Sequence, residues 1–239
     1  MRVSLDRLSK SFGPVRALDA ISLDLEPGSL VAILGANGAG KSTLLRCLAG
    51  IAVPDGGTIR YDGERFLRAR LDLRRRLGFL PDFPALFAAM SVLRHLGMVA
   101  SLYGADQEGL DLRAATLLGE FDMLPLAEAR TGTLSRGQRY KAALVAHALV
   151  DPELWLLDEP FASGMDPDGI RAFRSIARDA VARGRTVLYS TQLLDLAERF
   201  SDRVVVLDRG RLAAFDTVEA LGGLGVLDTL FQRLRDERP

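Results

Sequence analysis

Cysteine is nearly missing from this 239-residue chain, with Cys47 alone. One thiol builds no intramolecular disulfide framework and fits a reducing compartment. Net charge is missing too, since 31 Lys and Arg balance 31 Asp and Glu. Proteins that grip nucleic acid displace counterions from phosphates with a basic field, so no nucleic-acid partner is expected. No apolar run reaches the roughly 18 residues that cross a bilayer, and the stretch from Ala142 to Val150 is interrupted by His147. The charged start MRVSLDR lacks the apolar core of a secretory signal. A cytoplasmic protein that meets a membrane only through a partner is therefore expected. The two histidines, His95 and His147, have no cysteine or second histidine at metal-ligand spacing, which predicts structural roles for both. Cys47 reads as a small buried apolar residue.

What the chain does have is a core's worth of apolar residues, 48%, arranged in alternating patterns. Short Val, Ile and Leu runs alternate with longer amphipathic stretches, the pattern of a parallel sheet covered by helices, so the fold class is α/β. Strands are predicted at Ser29 to Gly35, Leu77 to Pro81, Leu154 to Asp158, Thr186 to Thr191 and Arg203 to Leu207. Arg2 to Leu8 and Ala20 to Leu25 read as antiparallel hairpin partners. Between Phe83 and about Asp151 helical periodicity takes over, punctuated by Gly104, Pro125 and Gly132. The expected organisation is a core of residues 1–82 and 151–215, an inserted helical subdomain of residues 83–150, and a short carboxy-terminal helix within 216–239. After Leu212 only a polar turn and that helix are expected.

Gly35-Ala36-Asn37-Gly38-Ala39-Gly40-Lys41-Ser42 matches the phosphate-loop pattern, between the apolar run Leu30 to Leu34 and a predicted helix from Ser42 through Thr43 to Leu48. Glycines let successive N–H groups and the helix start face phosphate oxygens. Lys41 is the cation for the terminal phosphates, and Ser42 offers a hydroxyl to Mg²⁺. Leu154 to Leu157 ends in Asp158-Glu159, at the carboxyl edge of the sheet. There Asp158 suits the metal, and Glu159 suits a water attacking the γ-phosphate of a nucleoside triphosphate.

Leu134-Ser135-Arg136-Gly137-Gln138 closely resembles the signature of ATP-binding cassette (ABC) proteins, and Ser163-Gly164-Met165-Asp166 resembles that family's D-loop. The order of motifs is similar from Ser4 to about Leu212. The resemblance implies a P-loop NTPase core with a mixed sheet, an amino-terminal antiparallel β subdomain and the inserted helical subdomain. It implies ATP as substrate with Mg²⁺, a second cassette whose ATP is touched by Ser135, Gly137, Gln138 and Asp166, and an integral membrane subunit at the cytoplasmic face. Phe12 lies where the family stacks an aromatic on adenine. Without the family, LSRGQ reads as a helix N-cap at Ser135. The rival function is a soluble ATP-gated switch on nucleic acid or the ribosome, and a low-activity half of a heterodimeric ATPase is a further alternative. The short end after Leu212 is more like export-type systems.

Two positions depart from the family pattern. Asp82 stands where glutamine is usual, either touching Mg²⁺ or the water, or merely opening the Phe83-Pro84 turn. Phe83, Leu86, Phe87 and Met90 are expected to line a groove for the membrane subunit, or to be plain core. Gln192 replaces the switch histidine after Thr191. Losing a transition-state donor typically costs about 10²–10³ in rate, whereas a glutamine amide still donates one hydrogen bond. Slow hydrolysis is expected. Arg68, Arg70, Arg74, Arg75 and Arg76 read as a solvated face, or alternatively as a contact for acidic lipid head groups.

Overall fold

The computed structural model describes residues 1–105 and 108–221. The chain opens with an antiparallel hairpin, β1 (Val3–Phe12) and β2 (Val15–Leu25), before the buried strand β3 (Leu30–Leu34) and helix α1 (Lys41–Leu48). Strands β4 (Gly56–Tyr61) and β5 (Glu64–Arg65) and the short helix α2 (Leu71–Arg74) lead to β6 (Leu77–Leu80). Helices α3 (Val92–Tyr103), α4 (Leu110–Glu120) and α5 (Arg136–Val150) intervene before β7 (Leu154–Leu157). Helix α6 (Pro167–Ala182), β8 (Thr186–Thr191), α7 (Leu194–Phe200), β9 (Arg203–Asp208) and β10 (Arg211–Thr217) complete the described chain.

Two sheets result among the described residues, one ordered β2-β1-β4-β5 and one ordered β10-β9-β3-β8-β7-β6. Although β6 and β7 are adjacent and parallel, the three helices α3 to α5 lie between them in sequence. The inner strands β3 and β7 of the larger sheet are buried on both faces, which is why they read as unbroken apolar runs. Side chains alternate between the faces. Leu30, Ala32, Leu34, Trp155 and Leu157 pack with the helical segment, whereas Val31, Ile33, Leu154 and Leu156 pack with α1 and the hairpin sheet. Cys47 is fully buried on the α1 side, where burial pushes its thiol up to about 11.

The predicted strands are present with ends shifted by a residue or two, and the hairpin strands run longer, to Phe12 and back to Val15. The expectation of only a turn and a helix after Leu212 is corrected, because β10 continues to Thr217, paired antiparallel with β9. Its Ala213, Ala214 and Asp216 have weak strand propensity, and pairing along a sheet edge supplies what they lack. The turn Arg209-Gly210, with φ of 47° and 79°, was the available hairpin signal. Of the carboxy-terminal helix predicted within 216–239, residues 216–217 are instead the end of β10 and 218–221 a turn, and the remainder lies outside the described residues.

Candidate functional site

Parallel register assembles the site. Leu34 lies opposite Thr191, Leu157 opposite Tyr189, and Leu80 opposite Leu157. The chain therefore leaves β3, β6, β7 and β8 at one sheet edge, which delivers the phosphate loop, Asp82, Asp158 with Glu159, and Gln192 to the same place. Asn37 to Thr43, Asp82, Glu159 and Gln192 line one cavity of about 480 Å³, together with Val15 and Ala17 of β2.

At the base of this cavity α1 starts without any side-chain cap, leaving its first amides for another acceptor. Gly40 precedes it at φ 107°, and a Cβ there would stand 2.4 Å from the Ala17 carbonyl oxygen, so both the turn and the close approach demand glycine. Lys41 is buried; its Nζ donates to the Gly35 carbonyl at 2.9 Å and lies 3.4 Å from Glu159 Oε1. Ser42 Oγ donates to Asp158 Oδ1 at 2.8 Å. A hydroxyl and a carboxylate oxygen side by side are hard donors of the kind Mg²⁺ accepts alongside substrate phosphates. No cluster of three or more His, Cys, Asp or Glu suited to a metal is found among the described residues.

Glu159, separated from the end of β7 by Asp158, adopts a left-handed backbone, φ 48° and ψ 52°. Such strain, about 1–3 kcal/mol, persists only where the surroundings hold it. Ser190 does the holding: its Oγ accepts from Glu159 N at 2.9 Å and donates to Asp158 Oδ1 at 2.7 Å. Sequence reasoning passed over Ser190, although a hydroxyl near the end of a buried strand was the available signal. Tyr140, one turn into α5, is buried, and its hydroxyl meets no hydrogen-bond partner among the described residues. Burial, then the charges of Asp158, Asp82 and Glu159, raise its pKa well above the ordinary phenol value.

Phe12 is not in the cavity wall. It is 52% exposed, pairs across the hairpin with Val15, and carries Lys10 Nζ 5.3 Å from its ring centre. Ser135, Gly137, Gln138 and Asp166 also lie outside the wall and are engaged within their own chain. Ser135 Oγ accepts from Gln138 N at 3.2 Å while Gln138 Oε1 accepts from Ser135 N at 2.9 Å, a reciprocal cap on α5. A Cβ on Gly137 would meet the Gly164 carbonyl oxygen at 2.4 Å. Asp166 caps α6 through Gly169 N at 2.7 Å and pairs with buried Lys141 at 2.6 Å, and the Lys141 bond first, then the cap, lowers its pKa.

A separate cavity of about 270 Å³ includes Leu86, Phe87, His95, Met98 and His147 in its wall. Phe83 and Met90, expected beside Leu86 and Phe87, are not part of it. Phe83 instead packs under Arg136, with 4.2 Å from guanidinium carbon to ring centre. His147 stacks edge-on against Trp155, and burial pushes its pKa down to about 3. Burial also lowers the pKa of His95. Within the arginine run, Arg70 pairs with Glu64 and Asp72, and Arg76 with Glu153 and Asp62, so two of the five charges are committed inside the fold.

Residues 18–162 match the family model described as ABC transporter. The chain is 33% identical over 204 residues to the ABC-type transporter ATP-binding protein EcsA of Bacillus subtilis, covering 85% of this chain and 82% of that protein. It is 34% identical to the daunorubicin/doxorubicin resistance ATP-binding protein DrrA of Streptomyces peucetius, covering 96% and 69%. Likewise it is 34% identical to the Nod factor export ATP-binding protein I of Paraburkholderia xenovorans, covering 92% and 72%. A solved structure described as the ATP-binding subunit of an ABC transporter superposes with a TM-score of 0.90 at 29% identity, covering 98% of this chain and all of that one.

Proposed function

Since the chain belongs to the ABC transporter family, among its ATP-binding proteins, we propose that two cassettes, two copies or one copy and a related subunit, close over MgATP and that hydrolysis drives a separate membrane subunit. One observation carries this reading: Lys41, Ser42 and Glu159 share a cavity from which Ser135, Gly137, Gln138 and Asp166 are all excluded. A second cassette supplies the missing wall.

In this reading residues 1–82 and 151–215 form the ATP-binding core, and 83–150 the helical subdomain that presents the signature. Gly35 to Thr43 wrap the phosphates, with Lys41 Nζ moving from Glu159 to the γ-phosphate. Ser42 and Asp158 would hold Mg²⁺, while Asp82 sits in the same cavity wall paired with Arg136. Bound Mg²⁺ would neutralise charge on the phosphate oxygens. Glu159 orients the attacking water and takes its proton as the bond from the γ-phosphorus to the bridging oxygen breaks. The Gln192 amide donates to the γ-phosphate and accepts from the water. Phe12 offers a ring face to adenine beside Val15.

No helix among the described residues is long and apolar enough to cross a membrane. In this reading the membrane subunit is a separate chain, and the cassette sits on the cytoplasmic face with the groove at Leu86 and Phe87 as its docking place. Relatives named for Nod factor export and daunorubicin resistance support an export-type partner over a switch on nucleic acid or the ribosome.

Sizing chromatography tests the sandwich. Glu159→Gln with saturating MgATP elutes as a dimer, and adding Ser135→Arg returns it to monomer; a monomer in the first case removes the homodimer and leaves a heterodimer. Phosphate release tests Gln192. The wild type hydrolyses slowly, and Gln192→His changes the rate by no more than about tenfold, since each side chain supplies one donor. Turnover no greater than that of Glu159→Gln, with ATP binding confirmed, would favour a low-activity half of a heterodimer.

A further inference from the structure

Asp82, which departs from the family pattern, meets Arg136 of the signature-like segment in the folded chain. Arg136 Nη2 lies 3.0 Å from Asp82 Oδ1, and its guanidinium covers Phe83. Arg136 is the first residue of α5, where the helix dipole disfavours a cation, so helix energetics do not account for an arginine there. Asp82 belongs to the cavity wall, and among the described wall residues it and Glu159 are acids while Lys41 is the lone cation. Lys41 is already shared with Glu159. Without Arg136 a triphosphate would enter facing an uncompensated carboxylate.

We propose that Arg136 is a positioning residue for the nucleotide site: it neutralises Asp82 and fastens residues 82–83 to the first turn of α5. The proposal rests on the reading of this cavity as an ATP site. It makes triphosphate affinity depend on the helix that begins with the signature, so the cavity and the surface offered to a second cassette are coupled through one ion pair. An exposed pair of this kind contributes little to stability, about 0–1 kcal/mol. Its effect is therefore expected in nucleotide affinity and not in the melting temperature.

Calorimetric titration of the full chain with MgATP and with AMP, at low salt, tests this. One charge within about 10 Å of the phosphates, at an effective dielectric near 20, is worth about tenfold in affinity. Arg136→Ala is expected to bind MgATP about tenfold more weakly and AMP with a smaller loss, because repulsion by Asp82 scales with phosphate charge. Adding Asp82→Asn restores MgATP affinity to within about twofold of wild type, and Asp82→Asn alone binds at least as tightly as wild type. Arg136→Gln repeats the first measurement with a longer side chain, and circular dichroism melting confirms that each variant folds. Unchanged MgATP affinity in Arg136→Ala and Arg136→Gln, equal losses for AMP and ATP, or no restoration in the double variant would overturn the inference while leaving the ATP site intact. A wild-type chain that binds no MgATP would overturn the ATP-site reading itself.

Discussion

Helices α1 and α5 both begin at a glycine-containing loop, yet they treat their first amides in opposite ways. At α1 no side chain caps the helix, Gly40 holds a left-handed turn against the Ala17 carbonyl, and Lys41 projects into a cavity shared with Glu159. At α5 Ser135 and Gln138 cap one another, Gly137 packs on Gly164, and Lys141 locks onto Asp166. One helix start leaves its first amides uncapped and facing a cavity. The other is built as a rigid, self-satisfied surface. A capped helix start still exposes Ser135 to a second molecule, but its stability does not wait for one. The expected reading of LSRGQ as an N-cap and its resemblance to the signature therefore describe the same residues without conflict.

Substitutions break this comparison in graded steps. Lys41→Ala has the largest effect: it removes the charged donor to the phosphates and strands Glu159 without its cation, so ATP affinity falls roughly a hundredfold or more. Calorimetry reads the loss, and unchanged affinity would show that the α1 cavity is not the nucleotide site. Gly137→Ala sharpens the contrast from the other side. The added methyl is forced against the Gly164 carbonyl, and overpacking of this kind costs about 1–3 kcal/mol. Denaturant melts should show that cost while the monomer's ATP affinity stays within about twofold, because Gly137 lies outside the cavity. Ser135→Ala is the mildest. Loss of the cap costs about 1 kcal/mol of stability, whereas the same change abolishes nothing in monomer binding. A Ser135→Ala chain as stable as wild type would mean that the reciprocal cap contributes nothing to α5.

The phosphate loop and the strand ending in Asp158-Glu159 were legible because their chemistry is local: consecutive backbone amides and adjacent carboxylates are written in consecutive residues. The apolar runs of β3 and β7 were legible because burial on both faces favours unbroken apolar side chains, LVAIL and LWLL. Strand β10 was not, since an edge strand takes its order from β9 and not from its own side chains.

The sequence by itself determined the α/β class, the phosphate loop, the paired acids and the capped start of α5. Only the tertiary structure decided which polar groups meet across distant stretches of chain: Ser190 with Asp158 over 32 residues, Lys141 with Asp166 over 25, and Arg136 with Asp82 over 54. The reason is geometric. A helix or a loop follows from neighbours along the chain, but a hydrogen bond between separate elements depends on strand register and helix placement to within a few tenths of an ångström, and those are outcomes of packing the whole core.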